Sequence, residues 1–353
     1  MKIVNENKLK ILAIGFLPPP LGGVSVSFKI FCDTISKHED IKLTVVNLTG
    51  TRKGKFFLKK MFVLFTQIWT HVVNCNIVML YCATPQIPTL GLATLALCRV
   101  YNKVFILRKA AGTDYLALGF FSGRLSSFVA KRSDLFLAQT KHLVKLCQLR
   151  GFKNVHWYPT HRPAGKLLGF KSRCHRLVFI GQVRQSKGIF ELIEAANGLP
   201  NGGLIDVYGP FFDVLSEDIF RNKSQIHYRG ILEPDQVQDK LREYDAFVLP
   251  TKADTEGYPG AILEALSVGL PCISTAIGGI SEILDERCGI LAPPGNVDAL
   301  KAALHRMILD ESLYRHLCKG AYDARNNFSA EYWTNWFIEK CKQLLIDKNI
   351  INK

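Results

Sequence analysis

Two glutamates eight positions apart, Glu256 and Glu264 in the stretch EGYPGAILEAL, are the residues whose type and spacing most invite chemistry. Pro259 and Gly260 suit the first turn of a helix, so Glu264 projects from that helix while Glu256 sits on the loop before it. Both carboxylates can then face one ligand. At such a helix start the N–H groups of Gly260, Ala261 and Ile262 lack intrahelical partners and suit sugar hydroxyls or phosphate oxygens. Alone, the pair could equally be two surface glutamates on an ordinary strand-to-helix connection. Its context argues for a site: it follows DAFVLPT and precedes SVGLPCISTAIGGISEIL, a second strand and glycine-rich turn at the same carboxyl edge.

A second candidate lies near the start. The apolar run 11–16 leads into PPPLGGVSVSF, where Gly22 and Gly23 let backbone approach a phosphate or sugar closely and Ser25 or Ser27 can cap the next helix. The nine histidines form no His-x-x-x-His pair, no Asp-x-Asp occurs, and no two of the ten cysteines lie closer than seven residues. Metal-independent chemistry, no cofactor and reduced thiols in a cytoplasmic setting follow as expectations.

The elements that must position these residues are legible as alternating short apolar runs and helical patterns. Runs at 10–16, 42–48, 77–81, 104–107 and 135–138 predict one parallel sheet, and runs at 176–180, 204–208, 225–228, 246–249 and 271–274 a second. With 353 residues the chain exceeds what one hydrophobic core usually supports. We therefore expect an α/β protein of two Rossmann-like, doubly wound domains: 1–165, 172–326, and a terminal segment 327–353 whose helix packs back on the first domain. The stretch 160–176, basic and without sustained periodicity, reads as the linker. Trp333, Trp336, Phe337, Cys341 and Leu344 recur at helical spacing in the last helix.

Charge is unevenly divided. Residues 1–175 carry 26 Lys and Arg against 6 Asp and Glu, a net +20, while residues 176–353 carry 19 against 24, a net −5. No acidic residue falls between Asp40 and Asp114. Such a face attracts anionic lipid or other polyanions. Residues 61–98 hold no charged side chain, but Gln67, His71, Asn74, Asn76, Pro85 and Pro88 interrupt the run well short of a spanning helix. The apolar stretch 11–17 reads as a buried strand and not as a signal peptide. Residues 56–73 form an amphipathic helix with Lys59, Lys60, Thr66, Gln67, Thr70 and His71 on one stripe. It is either a core helix with a solvated edge or a helix whose basic edge meets a bilayer.

Five stretches in order, FIGQVRQSKGI, IHYRGIL, Glu256 to Glu264, AIGGISEI and GILAPPGNVDAL, make residues 176–310 resemble the donor-binding domain of retaining glycosyltransferases of family four. The whole chain fits their two-domain GT-B layout, with the domains facing across a cleft and the last helix crossing back. The resemblance implies transfer of a hexose-type sugar from a nucleotide-sugar, UDP-linked on base rate, to a lipid-linked or saccharide acceptor in cell-surface polysaccharide assembly. It implies that Lys187 and Arg184 hold the diphosphate, that Glu264 takes the ribose, and that Glu256 lies beside the transferred sugar. Gly181, Gly260, Ala261, Gly278, Gly279, Gly22 and Gly23 would complete the donor side. Gln182 stands where relatives often have Arg. The histidine many relatives carry after the strand at 104–107 is missing from FILRKAAGTDY; Arg108, Lys109, Gly112 or Asp114 stands at that edge as an acceptor-side candidate. The implied place is the inner face of the plasma membrane, held there peripherally. A nucleotide-sugar epimerase shares this architecture and is the alternative. The basic charge admits nucleic-acid binding in principle, but no zinc finger, helix-turn-helix signal or aromatic-basic recognition strand accompanies it.

Overall fold

A computed structural model describes residues 8–20, 22–49, 57–110, 120–167, 169, 171–254 and 256–349. Asp114 and Gly112 lie outside them. The chain divides into two compact units, Met1–Pro159 with Ala330–Lys353, and Thr160–Ser329. The division falls at the first residue of the linker read from sequence, between Pro159 and Thr160. Thr160, His161 and Arg162, expected in that linker, are buried in the second unit.

The first unit runs β1 (Leu9–Gly15), α1 (Gly23–Ile35), β2 (Ile41–Asn47), α2 (Phe57–Val73), β3 (Ile77–Cys82), α3 (Leu92–Val100), β4 (Val104–Lys109), α4 (Phe120–Arg132), β5 (Leu135–Ala138), α5 (Lys141–Leu149) and β6 (Val155–Trp157). All pairings are parallel and the strand order is β2-β1-β3-β4-β5-β6. Strands IVMLYC and VFILRK are buried at every position, as strands covered by helices on both faces must be.

This order explains where the last helix goes. The step from β1 to β2 moves one way along the sheet and every later step moves the other way, so right-handed crossovers put α1 on one face and α2 to α5 on the opposite one. α1 alone cannot cover its face. The chain's last helix does the rest: its Trp333, Phe337, Ile338, Cys341 and Leu345 pack with Phe28, Phe31 and Ile35 of α1 and with Ile11, Met79 and Ile106 of the sheet. Phe31 and Phe337 meet edge to face at 5.2 Å.

The second unit runs β7 (Arg176–Ile180), α6 (Ile189–Ala195), β8 (Leu204–Tyr208), β9 (Ile226–Tyr228), α7 (Val237–Leu241), β10 (Ala246–Leu249), α8 (Gly260–Ser267), β11 (Cys272–Thr275), β12 (Gly289–Ala292), α9 (Val297–Leu309) and α10 (Glu311–Ala324). The helix already described on the first unit is α11 (Ala330–Asp347). The sheet is again parallel, ordered β12-β11-β10-β7-β8-β9. The order reverses between β7 and β10, and in open sheets of this kind ligands bind at the carboxyl ends of the two strands flanking such a reversal. In the first unit the reversal falls between β1 and β3.

Away from that edge, the buried Asp206 on β8 anchors a polar knot with two half-exposed arginines. Its carboxylate accepts from Arg229 Nε at 2.7 Å, Tyr244 Oη at 2.8 Å and an Arg176 Nη at 3.2 Å. Burial alone would raise its pKa, but these donors hold the carboxyl below its usual value. A depressed folded-state pKa gives stability that is present above the unfolded value and lost as pH falls through the folded one. Asp206→Asn should destabilise the second unit by about 1–3 kcal/mol at pH 7. Urea unfolding followed from pH 7 downward should show wild type and variant converging below about pH 4.

All ten cysteines are buried and none is in a disulfide, and burial pushes up thiols such as Cys75, to about 11, and Cys82, to about 12. They behave as small apolar side chains.

Candidate active site

The loops that leave β7 and β10 meet beside the strand reversal. After β7 the chain turns through Gln185–Lys187 into Gly188 and α6. Gly188 has φ +75°, and a Cβ there would lie 1.9 Å from the carbonyl oxygen of Pro250, just past β10. Only glycine permits that approach. The contact is held by Lys252 N–H donating to Ser186 O at 2.8 Å and by Thr251 Oγ1 donating to the same oxygen at 3.2 Å.

This junction brings Lys187 Nζ onto Glu256 Oε1 as an ion pair, both side chains partly buried. Thr251 Oγ1 is 3.4 Å from the same carboxylate oxygen. Glu256 is fixed from its other side by the glycine-rich turn after β11. Gly279 N–H donates to Glu256 O at 3.0 Å, and a Cβ on Gly278, at φ +54°, would sit 2.2 Å from that oxygen. Lys187, Glu256, Gly278 and Gly279, four candidates scattered over 93 positions of sequence, thus form one connected set.

Glu264 sits one turn into α8, whose first turn begins at Gly260 with Pro259 as its cap and no side chain closing its N–H groups. Its Oε1 accepts from Arg162 Nε at 2.7 Å. Arg162 is 4% exposed, and its guanidinium lies so close over Gly260 that a Cβ there would collide with it. The start of α8 therefore joins a peptide N–H array, a guanidinium and a carboxylate whose Oε2 carries no hydrogen bond within the described residues. Sequence reading missed Arg162, because an arginine before a proline in an aperiodic stretch carries no motif. Arg162→Met should raise the KM for an anionic donor about ten-fold with a smaller change in kcat, as expected for a lost charged hydrogen bond that orients Glu264. Steady-state kinetics against donor concentration measure it.

Arg184 is not part of the Lys187–Glu256 pair. Its guanidinium reaches Asp213 Oδ1 at 3.2 Å and lies over the Phe212 ring. Gly181 N–H continues the sheet by donating to Tyr208 O at 3.0 Å. Ala261 lies in the first turn of α8.

The first unit's candidates gather at the carboxyl ends of its own central strands. Gly22 precedes α1, and Ser25, not Ser27, closes the helix start: its Oγ accepts from Gly22 N–H at 3.1 Å and donates to Pro20 O at 2.9 Å. Among the described residues a Cβ on Gly23 would meet nothing within 4 Å, so packing against them does not explain glycine there. Arg108 and Lys109 end β4 and are buried. The Arg108 guanidinium lies between the rings of Tyr81 and Tyr158 at 5.6 and 5.2 Å.

A cation–carboxylate pair, open helix N–H groups and glycine-shaped turns at a sheet reversal are chemistry suited to an anionic, hydroxyl-rich ligand. Residues 174–310 match the family model described as Glycosyl transferases group 1. TuaC of Bacillus subtilis, named for a glycosyltransferase role in teichuronic acid biosynthesis, is 33% identical over 141 residues, 40% of this chain and 35% of that protein. An Escherichia coli protein named UDP-Gal:alpha-D-GlcNAc-diphosphoundecaprenol alpha-1,3-galactosyltransferase is 27% identical over 199 residues, 53% of this chain and 49% of that one. The chain thus spans between about a third and a half of the length of these curated relatives. Among solved structures, HepE of Anabaena, crystallised with UDP, superposes with a TM-score of 0.73 at 12% identity, covering 95% of this chain and 100% of that one. The chain has the GT-B fold of the glycosyltransferases, and its residues 174–310 carry the group 1 glycosyltransferase signature.

Proposed function

We propose that the protein is a glycosyltransferase of cell-surface polysaccharide assembly that moves a hexose-type sugar from a UDP-sugar to a lipid-linked or saccharide acceptor. The junction of the β7 and β10 loops, with Lys187 on Glu256, carries the reading. The names of the relatives support surface-polysaccharide work and, in one case, a diphospholipid acceptor. UDP in the HepE structure supports the choice of nucleotide.

In this reading the bond from the anomeric carbon to the β-phosphate oxygen breaks with its electron pair leaving on the diphosphate. Lys187 and the N–H groups at Gly260, Ala261 and Ile262 stabilise that growing charge, without a metal ion. The acceptor hydroxyl oxygen bonds to the same carbon and its proton passes to the departing phosphate, giving retention. Glu256, freed from Lys187 as diphosphate takes its place, accepts sugar hydroxyls, and Glu264 Oε2 accepts from the ribose. Arg184 joins the diphosphate only by leaving Asp213. Arg108 and Lys109 serve the acceptor, and the basic first unit keeps the protein on the inner face of an anionic membrane.

Incubating the chain with radiolabelled UDP-sugar and a bacterial lipid extract tests the reading. Label should enter the solvent-extractable lipid only when extract is present, and should do so in EDTA. Conversion of the free UDP-sugar to its epimer without extract would replace this reading by an isomerase.

A further inference from the structure

The helix layer formed by α2, α3, α4 and α5 has two properties that ordinary solvated helices do not combine. Its four sequences contain no Asp or Glu and eight Lys or Arg. Yet ten of the eighteen large hydrophobic residues exposed among the described residues belong to it.

The apolar exposure is organised. In α2 the residues facing the sheet are Leu64, Ile68 and Val72, which are buried in the unit's core. A second stripe, Phe62, Phe65, Trp69 and Val73, follows the helical repeat about a quarter-turn away and is exposed, Phe62 at 70%. The basic-edge reading of this helix therefore changes. What α2 offers outward includes a row of aromatic side chains as well as Lys59; the side chain of Lys60 lies outside those described. The stripe is held in place: Phe65 and Trp69 meet edge to face at 6.1 Å, and the Trp69 indole N–H donates to Tyr101 Oη at 2.7 Å in the turn after α3. Val100, the last residue of α3, adds a further apolar side chain, 75% exposed. α3 also packs beside α4, where Phe128 is exposed under Arg132.

We propose that this layer is an interfacial membrane-binding surface, in which Phe62, Phe65, Trp69 and Val100 enter the acyl boundary of an anionic bilayer while the surrounding lysines and arginines meet lipid headgroups. It deepens the membrane placement given above and rests on that reading for its purpose. Charge selects the occupant. A second copy related by a two-fold axis would set one basic face against the same basic face, whereas an anionic leaflet complements both the cations and the apolar stripe. Trp and Phe beside Lys and Arg are also the residue types that settle at the headgroup boundary.

The full chain, without nucleotide, is sedimented with phosphatidylcholine vesicles with and without phosphatidylglycerol. Binding should require phosphatidylglycerol and weaken with salt, and tryptophan emission should shift to the blue on binding, a shift largely removed by Trp69→Phe. Phe62→Ser/Phe65→Ser, at exposed positions, should lower vesicle partition at least ten-fold. Far-ultraviolet circular dichroism and UDP-induced thermal stabilisation should be unchanged by it. No binding to phosphatidylglycerol vesicles, equal binding by the double variant, or a wild-type dimer by light scattering that the double variant converts to monomer would each overturn the proposal. UDP stabilisation, read on the same samples, reports the catalytic reading separately.

Discussion

Lys187→Ala is expected to lower kcat/KM by about 100- to 1000-fold, the size seen when one charge-stabilising group is taken from a developing oxyanion. The lysine is the cation that the β7 loop delivers beside Glu256, and its removal leaves that carboxylate without its ion partner at the position assigned to diphosphate. Most of the loss should appear in kcat, because the charge Lys187 meets grows as the sugar leaves. Lys187→Arg keeps the charge on a longer, planar head and should recover only part of the activity. Kinetics on folded variants within five-fold of wild type would remove Lys187 from the mechanism.

Gly188→Ala should be among the most damaging small substitutions in the second unit. Two separate effects add: a left-handed backbone at φ +75°, and a Cβ 1.9 Å from Pro250 O, where neither neighbour is a flexible side-chain end. Together they should destabilise the unit by about 3 kcal/mol and pull the Lys187 loop off β10. Gly202 separates the two, since it has φ +69° but nothing within 4 Å of a Cβ. Gly202→Ala should cost only about 1 kcal/mol and leave activity intact. Urea unfolding and nucleotide binding on the three proteins check this; equal effects at both glycines would mean that the loop does not touch Pro250.

Much of this was legible in the sequence where backbone requirement and residue type coincide. β5, β7, β8 and β10 run where their apolar stretches predict, because buried parallel strands leave little room for polar residues. β6 and β12 were not read, since VHW is three residues long and GILA begins on a glycine, too short for any period to show. In the site, Lys187 was named from the stretch that carries the family resemblance and Glu256 from its spacing to Glu264, and the structure pairs the two. Arg162 was not read, because its role comes from a fold that returns the start of the second unit to α8. Arg184, named from the same stretch as Lys187, has its guanidinium on Asp213, a pairing that the stretch alone does not show. In α2 the periodicity showed two faces, but only the packing shows that Leu64, Ile68 and Val72 suffice for the core and leave the aromatic stripe outside.

If the loops beside the β7–β10 reversal form a nucleoside-diphosphate-sugar site built on Lys187, they must hold the nucleotide on their own. Calorimetric titration of the full chain with UDP, GDP, ADP and dTDP, each in EDTA and repeated on Lys187→Ala and Glu264→Ala, tests it most directly. Saturable one-site binding is expected, with UDP tightest, weakened at least ten-fold in both variants. Absence of binding by all four nucleotides to folded wild type, or binding that both variants leave untouched, would contradict it.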